Sequence, residues 1–183
     1  GRQALSLPKR IAIDAMGGDG GVRVTLPAAL RALELNSDLS VTLVGDKSQI
    51  EPYLDSISPM LADRTFIDHT LDVISDGDKP AQVLRSGKTS SMYKAVQLLQ
   101  GGRVEAMVSA GNTGALLMIG RHLLKTISGI QKPAIVASIP GATRQCFLLD
   151  VGANPQVDAQ QLFEFAVMGS VLAESLQGEI AKV

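Results

Sequence analysis

The sequence predicts an α/β protein: a three-layer α/β/α sandwich built on a mostly parallel sheet. Three observations carry that reading. Short aliphatic, β-branched runs alternate with longer stretches whose apolar residues recur every three or four positions. Turns rich in glycine and hydroxyl groups follow directly on several of the strand-like runs. Two strand-like runs near the end, 134–139 and 146–151, are separated only by 140–145. That gap is too short for a crossover helix, so the pair is expected to be antiparallel and the sheet mixed.

Each element has its own signal. Arg10 to Ala15 reads as a buried strand, stopped by the glycines of 16–23. Thr25 is expected to cap a helix, with Pro27 in its first turn and Leu30, Leu33 and Leu35 following. Ser40 to Val44 reads as the second strand, ending at Gly45 and Asp46, and Ser48 to Leu54 as a short helix. Arg64 to Ile67 is a weaker strand. Helices follow over Pro80 to Arg85 and Ser90 to Gln100, the second closed by Gly101 and Gly102. Val104 to Val108 is a strand, and Asn112 to Leu124 a helix with Ala115, Leu116, Ile119 and Leu123 on one face. Asp158 to Leu176 is a long amphipathic helix. Residues 1–9 read as a disordered or appended lead-in and 10–183 as the α/β domain. A doubly wound fold returns from such a helix to another strand, so the domain is expected to be truncated.

Composition narrows the function. Of 183 residues, 45% are hydrophobic and only 3% aromatic, so the core is aliphatic. Lys and Arg total 17 against 18 Asp and Glu, which gives no basic field for nucleic acid. Cys146 is alone and lies in an apolar run, where it reads as a core residue in a reducing compartment. No run is long enough to span a membrane, and no apolar signal segment stands at the start. His69 and His122 read as surface residues, and no metal-ligand spacing is present.

Four motifs fall where α/β proteins place their sites, at strand ends and helix starts. The first runs from Asp14 through Gly17, Gly18 and Asp19, a carboxylate followed by a glycine pair that lets the backbone approach a ligand. The second holds Arg85, Lys88, Ser90 and Ser91 ahead of a helix, a cationic stretch with an anion-binding helix start. Gly87-Lys88-Thr89 resembles the end of a P-loop, but Gln82 stands where the motif needs glycine, which excludes an ATPase. The third is Ser109, Gly111, Asn112, Thr113 and Gly114, a cradle for phosphate or an oxyanion. The fourth is Asp150, Gly152 and Asn154; Asp150 and Asp14 are expected to ring one pocket.

Together these motifs resemble the bacterial phosphate acyltransferases of phospholipid synthesis, the PlsX family. The resemblance rests on Ile13 to Asp19, Val41 to Gly45, Arg85 with Ser90 to Met92, Val108 to Ala115, Leu149 to Asn154 and Phe165 to Ser170. It implies a fold related to phosphotransacetylases and isocitrate dehydrogenases. It implies a cytoplasmic, peripherally membrane-associated homodimer without metal or organic cofactor. The implied reaction takes an acyl carrier protein thioester and inorganic phosphate to acyl phosphate, which feeds a membrane glycerol-phosphate acyltransferase. It further implies that this chain covers the N-terminal half. Asn112, Asp14, Asp150 and Asn154 are then the expected catalytic groups, with Asn112 donating to the oxyanion. Two other readings stand beside it. One is an inactive fragment that binds the carrier protein or dimerises. The other is a dehydrogenase of related fold, disfavoured because no G-x-G-x-x-G follows a strand.

Overall fold

The computed structural model describes residues 9–178, apart from the side chains of Pro80 and Ala81. Of the expected lead-in over 1–9, residues 1–8 lie outside the described residues and Lys9 begins the first strand. The chain divides into two compact units, Gly1–Leu123 and Leu124–Val183.

In the first unit, β1 (Lys9–Asp14), β2 (Leu39–Gly45), β3 (Thr65–His69) and β4 (Ala106–Val108) form a parallel sheet in the order β3-β2-β1-β4. The helices are α1 (Val22–Leu35), α2 (Lys47–Leu54), α3 (Pro59–Ala62), α4 (Pro80–Ser86), α5 (Ser91–Gln100) and α6 (Thr113–Leu124). Parallel crossovers are right-handed. Stepping outward from β1 to β3 therefore puts the connecting helices on one face, and reversing to β4 puts the next on the other. The core follows this. Val41 and Leu43 pack with Leu26, Ala29, Leu33 and Ile50 of α1 and α2. Ala12 and Val44, pointing the opposite way along the same strands, pack with Ala95 and Leu98 of α5. A third cluster joins Met92, Tyr93 and Val96 of α5 to Ala115, Ile119 and Leu123 of α6, the expected face of that helix.

Local departures have local causes. The first helix begins at Val22, with Gly21 as its cap, and not at Thr25. Thr25 instead donates its hydroxyl to Ala15 O at 2.6 Å, tying the first turn of α1 to the end of β1. Ser58 caps α3, a four-residue helix that has too few residues to show a period. His69 accepts the Lys47 N–H at its Nδ1, 3.0 Å away, and so helps to close the start of α2.

The second unit holds β5 (Val136–Pro140), β6 (Gln145–Leu149) and α7 (Ala159–Gln177). The two strands are antiparallel, as expected from their short link, but they form a sheet of their own. Cys146 is consequently exposed and not a core residue. With a period of two, Phe147 and Leu149 are the half-buried side of β6, while Cys146 and Leu148 face outward. Asp158 and Gln161 form a reciprocal capping box on α7. Gly169 lets α7 approach Leu149, whose Cδ1 would stand 3.0 Å from an added Cβ. Among the described residues no helix is long and apolar enough to cross a membrane.

Candidate functional site

The chain order reverses at β1: β2 and β3 lie on one side of it and β4 on the other. Two consecutive connections therefore leave the sheet in opposite directions, and a crevice opens beyond the carboxyl ends of β1 and β4. Doubly wound sheets bind their ligands at such a switch point. The first and third sequence motifs are the two turns that border it.

The turns touch. A Cβ added at Gly17 would stand 3.0 Å from Gly111 N and 3.1 Å from Ser109 Oγ. Gly18, at φ 82°, would place one 3.0 Å from Ala110 Cβ. Only glycine allows this approach, and at Gly18 only glycine takes the backbone conformation without strain.

Asp14 anchors the floor. It is 2% exposed. Its Oδ1 accepts from Ser91 Oγ at 2.6 Å and its Oδ2 from Ser109 Oγ at 2.7 Å. One carboxylate thus fixes the start of α5 and the turn after β4 to the end of β1. Ser109 Oγ in turn accepts the Gly111 N–H at 3.1 Å. Ser90, 1% exposed, caps α5 by accepting the Tyr93 N–H at 3.2 Å and donates to Gly87 O at 2.6 Å.

At the start of α6, Asn112 Oδ1 accepts the Ala115 N–H at 3.0 Å. The N–H groups of the first helical turn have no carbonyl one turn behind them, and they carry the positive end of the helix dipole. Thr113 and Gly114 occupy that turn. The crevice therefore offers main-chain donors over a floor whose side chains are already hydrogen-bonded to one another. This suits a small anion, held by N–H groups and the helix field. Among the described residues no cluster of His, Cys, Asp and Glu is placed to hold a metal ion.

The family model for "Fatty acid synthesis protein" matches residues 9–183. The chain belongs to that family. A phosphate acyltransferase from Shewanella putrefaciens is 51% identical over 167 residues, 91% of this chain and 49% of that protein. Another from Shewanella pealeana is 47% identical over 172 residues, 93% of this chain and 50% of that protein. The chain thus spans about half the length of the curated relatives it matches. Among solved structures, the EutD phosphotransacetylase from Staphylococcus aureus aligns with a TM-score of 0.62 at 19% identity, over 92% of this chain and 54% of that one. That likeness bears on the fold, and it agrees with the phosphotransacetylase-like sandwich expected from the sequence.

Within this family fold, the expected site residues other than Ser90, the cap of α5, sort into three groups. Asp14, Gly17, Gly18, Ser91, Ser109, Gly111, Asn112, Thr113 and Gly114 come together at the switch point. Asp19, Arg85 and Lys88 are exposed and make no side-chain hydrogen bond or ion pair among the described residues. Asp150, Gly152 and Asn154 form a turn in the second unit. There Asp150 takes φ 60°, an uncommon conformation for a residue other than glycine. Its Oδ1 accepts the Asn154 main-chain N–H at 3.2 Å and the Asn154 amide at 2.8 Å.

Several roles change. The hydroxyls of Ser90 and Ser91 are buried and already committed, so they do not serve as phosphate ligands. The Gly111 N–H is taken by Ser109, which leaves the donor role to the residues after it. The Asn112 amide is not a free oxyanion donor: its Nδ2 lies 3.1, 3.2 and 3.2 Å from the carbonyl oxygens of Ser75, Asp76 and Asp78. Residues 70–79 carry no helix or strand period. The density of Asp, Ser and Gly there signals a turn-rich loop, but nothing local shows where it docks.

Proposed function

We propose that this chain is the N-terminal part of a phosphate acyltransferase that converts acyl carrier protein thioester and inorganic phosphate into acyl phosphate and free carrier protein. The observation that carries the reading is the first turn of α6 at the switch point, whose leading N–H groups have no intrahelical carbonyl, in a chain whose curated relatives are named phosphate acyltransferases. Phosphate needs no covalent help from the protein. An oxygen of the bound anion attacks the thioester carbonyl, the tetrahedral oxyanion collapses, the C–S bond breaks and the carrier thiolate leaves to take a proton. The protein's tasks are to hold the anion, orient it and stabilise the developing charge. In this scheme the Thr113 and Gly114 main chain faces phosphate, and Asp14 positions that turn without meeting the anion. Arg85 and Lys88, uncommitted at the surface, supply positive potential that draws phosphate. A second copy of the chain is the proposed partner in solution, since Phe163, Val167 and Val171 form an exposed apolar stripe on α7. Cytoplasmic location with peripheral membrane contact belongs to the same proposal, as does delivery of acyl phosphate to a membrane glycerol-phosphate acyltransferase.

A second reading has its own support, because the chain covers only 49% of a relative's length. It is a fragment that binds the carrier or a second copy without turnover. One assay separates the two: incubation with acyl carrier protein thioester, with and without inorganic phosphate, while free thiol is followed. Phosphate-dependent thiol release is expected for the acyltransferase. Carrier binding with no phosphate-dependent release in this chain and in the full-length protein would overturn it.

A further inference from the structure

A helix cap needs only the side-chain oxygen of Asn112, which Ser or Asp would provide as well. The amide nitrogen does something more. Its two protons are shared among the carbonyls of Ser75, Asp76 and Asp78, on a segment 34 to 37 residues earlier in the chain. The same segment is fastened at its beginning to the start of α5. Ser91 N–H donates to Asp72 O at 2.9 Å. Thr70 Oγ1 donates to Thr89 O at 2.5 Å, and Thr89 Oγ1 donates to the Asp72 carboxylate. Residues 70–79 therefore run from the N-terminus of α5, which Asp14 holds through Ser91, to the N-terminus of α6, which follows the turn that Asp14 holds through Ser109.

Beneath this strap one apolar side chain is buried and a cavity lies beside it. Ile74, 7% exposed, joins the cluster of Val83, Met92 and Tyr93. Next to it lies a cavity of about 240 Å³ lined by Asp72, Ile74, Asp78, Val83, Gly87 and Ser90. The strap is thus located by its end fastenings and by Ile74. We infer that Asn112 is a positioning residue that latches the 70–79 strap to α6, and that phosphate affinity at the first turn of α6 depends on this latch. The second clause rests on the proposed phosphate site; the first does not.

Two substitutions separate latch from cap. Asn112→Ser keeps the cap and loses the reach to the carbonyls. Asn112→Asp keeps the cap but turns a carboxylate towards three carbonyl oxygens, and it adds a charge that repels phosphate directly. Asn112→Ser is therefore the variant that reads the coupling. Amide hydrogen exchange and titration with inorganic phosphate are measured on the same samples. Exchange across 71–79 should quicken about tenfold in Asn112→Ser and further in Asn112→Asp, with Ala115 and Leu116 unchanged. Phosphate should bind Asn112→Ser about fivefold or more weakly. Unchanged exchange across 71–79, or an equal rise in α6, would overturn the latch. A wild-type protein that binds no phosphate would sink the proposed reaction, while the exchange comparison would still decide the latch.

Discussion

Asp14→Ala should cost this chain about 2–6 kcal/mol of stability, the sum for two hydroxyls left without an acceptor at about 1–3 kcal/mol each. Asp14 is 2% exposed and Ser91 1%, so water does not replace the lost carboxylate without entering the core. The loss falls at one point of the fold, where β1, the start of α5 and the turn after β4 share a single side chain. Asp14→Asn separates charge from shape. The amide keeps one acceptor and turns one donor towards a hydroxyl, which must rotate, so a smaller loss of about 1–2 kcal/mol is expected. Urea denaturation gives the comparison, with midpoints shifted and the slope unchanged. An Asp14→Ala midpoint within error of wild type would show that the carboxylate does not hold these three elements together.

Gly17→Ala is the second large effect, and it acts on the crevice itself. The new methyl would stand 2.7 Å from Asp14 Oδ2 and 3.0 Å from Gly111 N. The first atom belongs to a carboxylate held by one hydrogen bond at each oxygen and the second is main chain, so neither yields easily. The turns after β1 and β4 must separate, at a cost of about 1–3 kcal/mol for overpacking. The displaced turn leads into α6, and phosphate affinity should fall about tenfold. Gly120→Ala is the matched control. It lies in α6 with nothing within 4 Å of its added Cβ, and Ala favours the helix by about 0.5–1 kcal/mol over Gly. Titration with phosphate and thermal melts of both variants check the pair. Equal behaviour of the two would mean that the close contact of the turns has no bearing on the site.

The sequence carried the elements that local chemistry determines. The aliphatic runs of β1 and β2 ended at glycines, Ser90 capped α5, and Ala115, Ile119 and Leu123 lined one face of α6. The candidate turns were legible for the same reason, since glycine pairs and a helix start leave local marks. What the sequence left open depends on partners far along the chain. Asp14 and Ser109 are 95 residues apart, and Asp14 and Ser91 are 77. Near an anion Asp14 is a costly group unless it orients neighbouring Asn, Ser or Lys side chains; buried, it accepts from the hydroxyls of Ser91 and Ser109. The acceptors of the Asn112 amide are equally hidden from the sequence, because they sit in a loop without periodicity. Cys146 looked like a core residue because its apolar run does not reveal that the strand belongs to a two-stranded sheet with one face uncovered.

The central claim is that the first turn of α6, at the switch point between β1 and β4, holds phosphate. Crystals of the chain soaked in inorganic phosphate test it most directly. The expected result is a phosphate oxygen at hydrogen-bond distance, about 2.7–3.2 Å, from the main-chain N–H of Thr113 or Gly114. Phosphate bound elsewhere on the protein, with that turn empty, would contradict it.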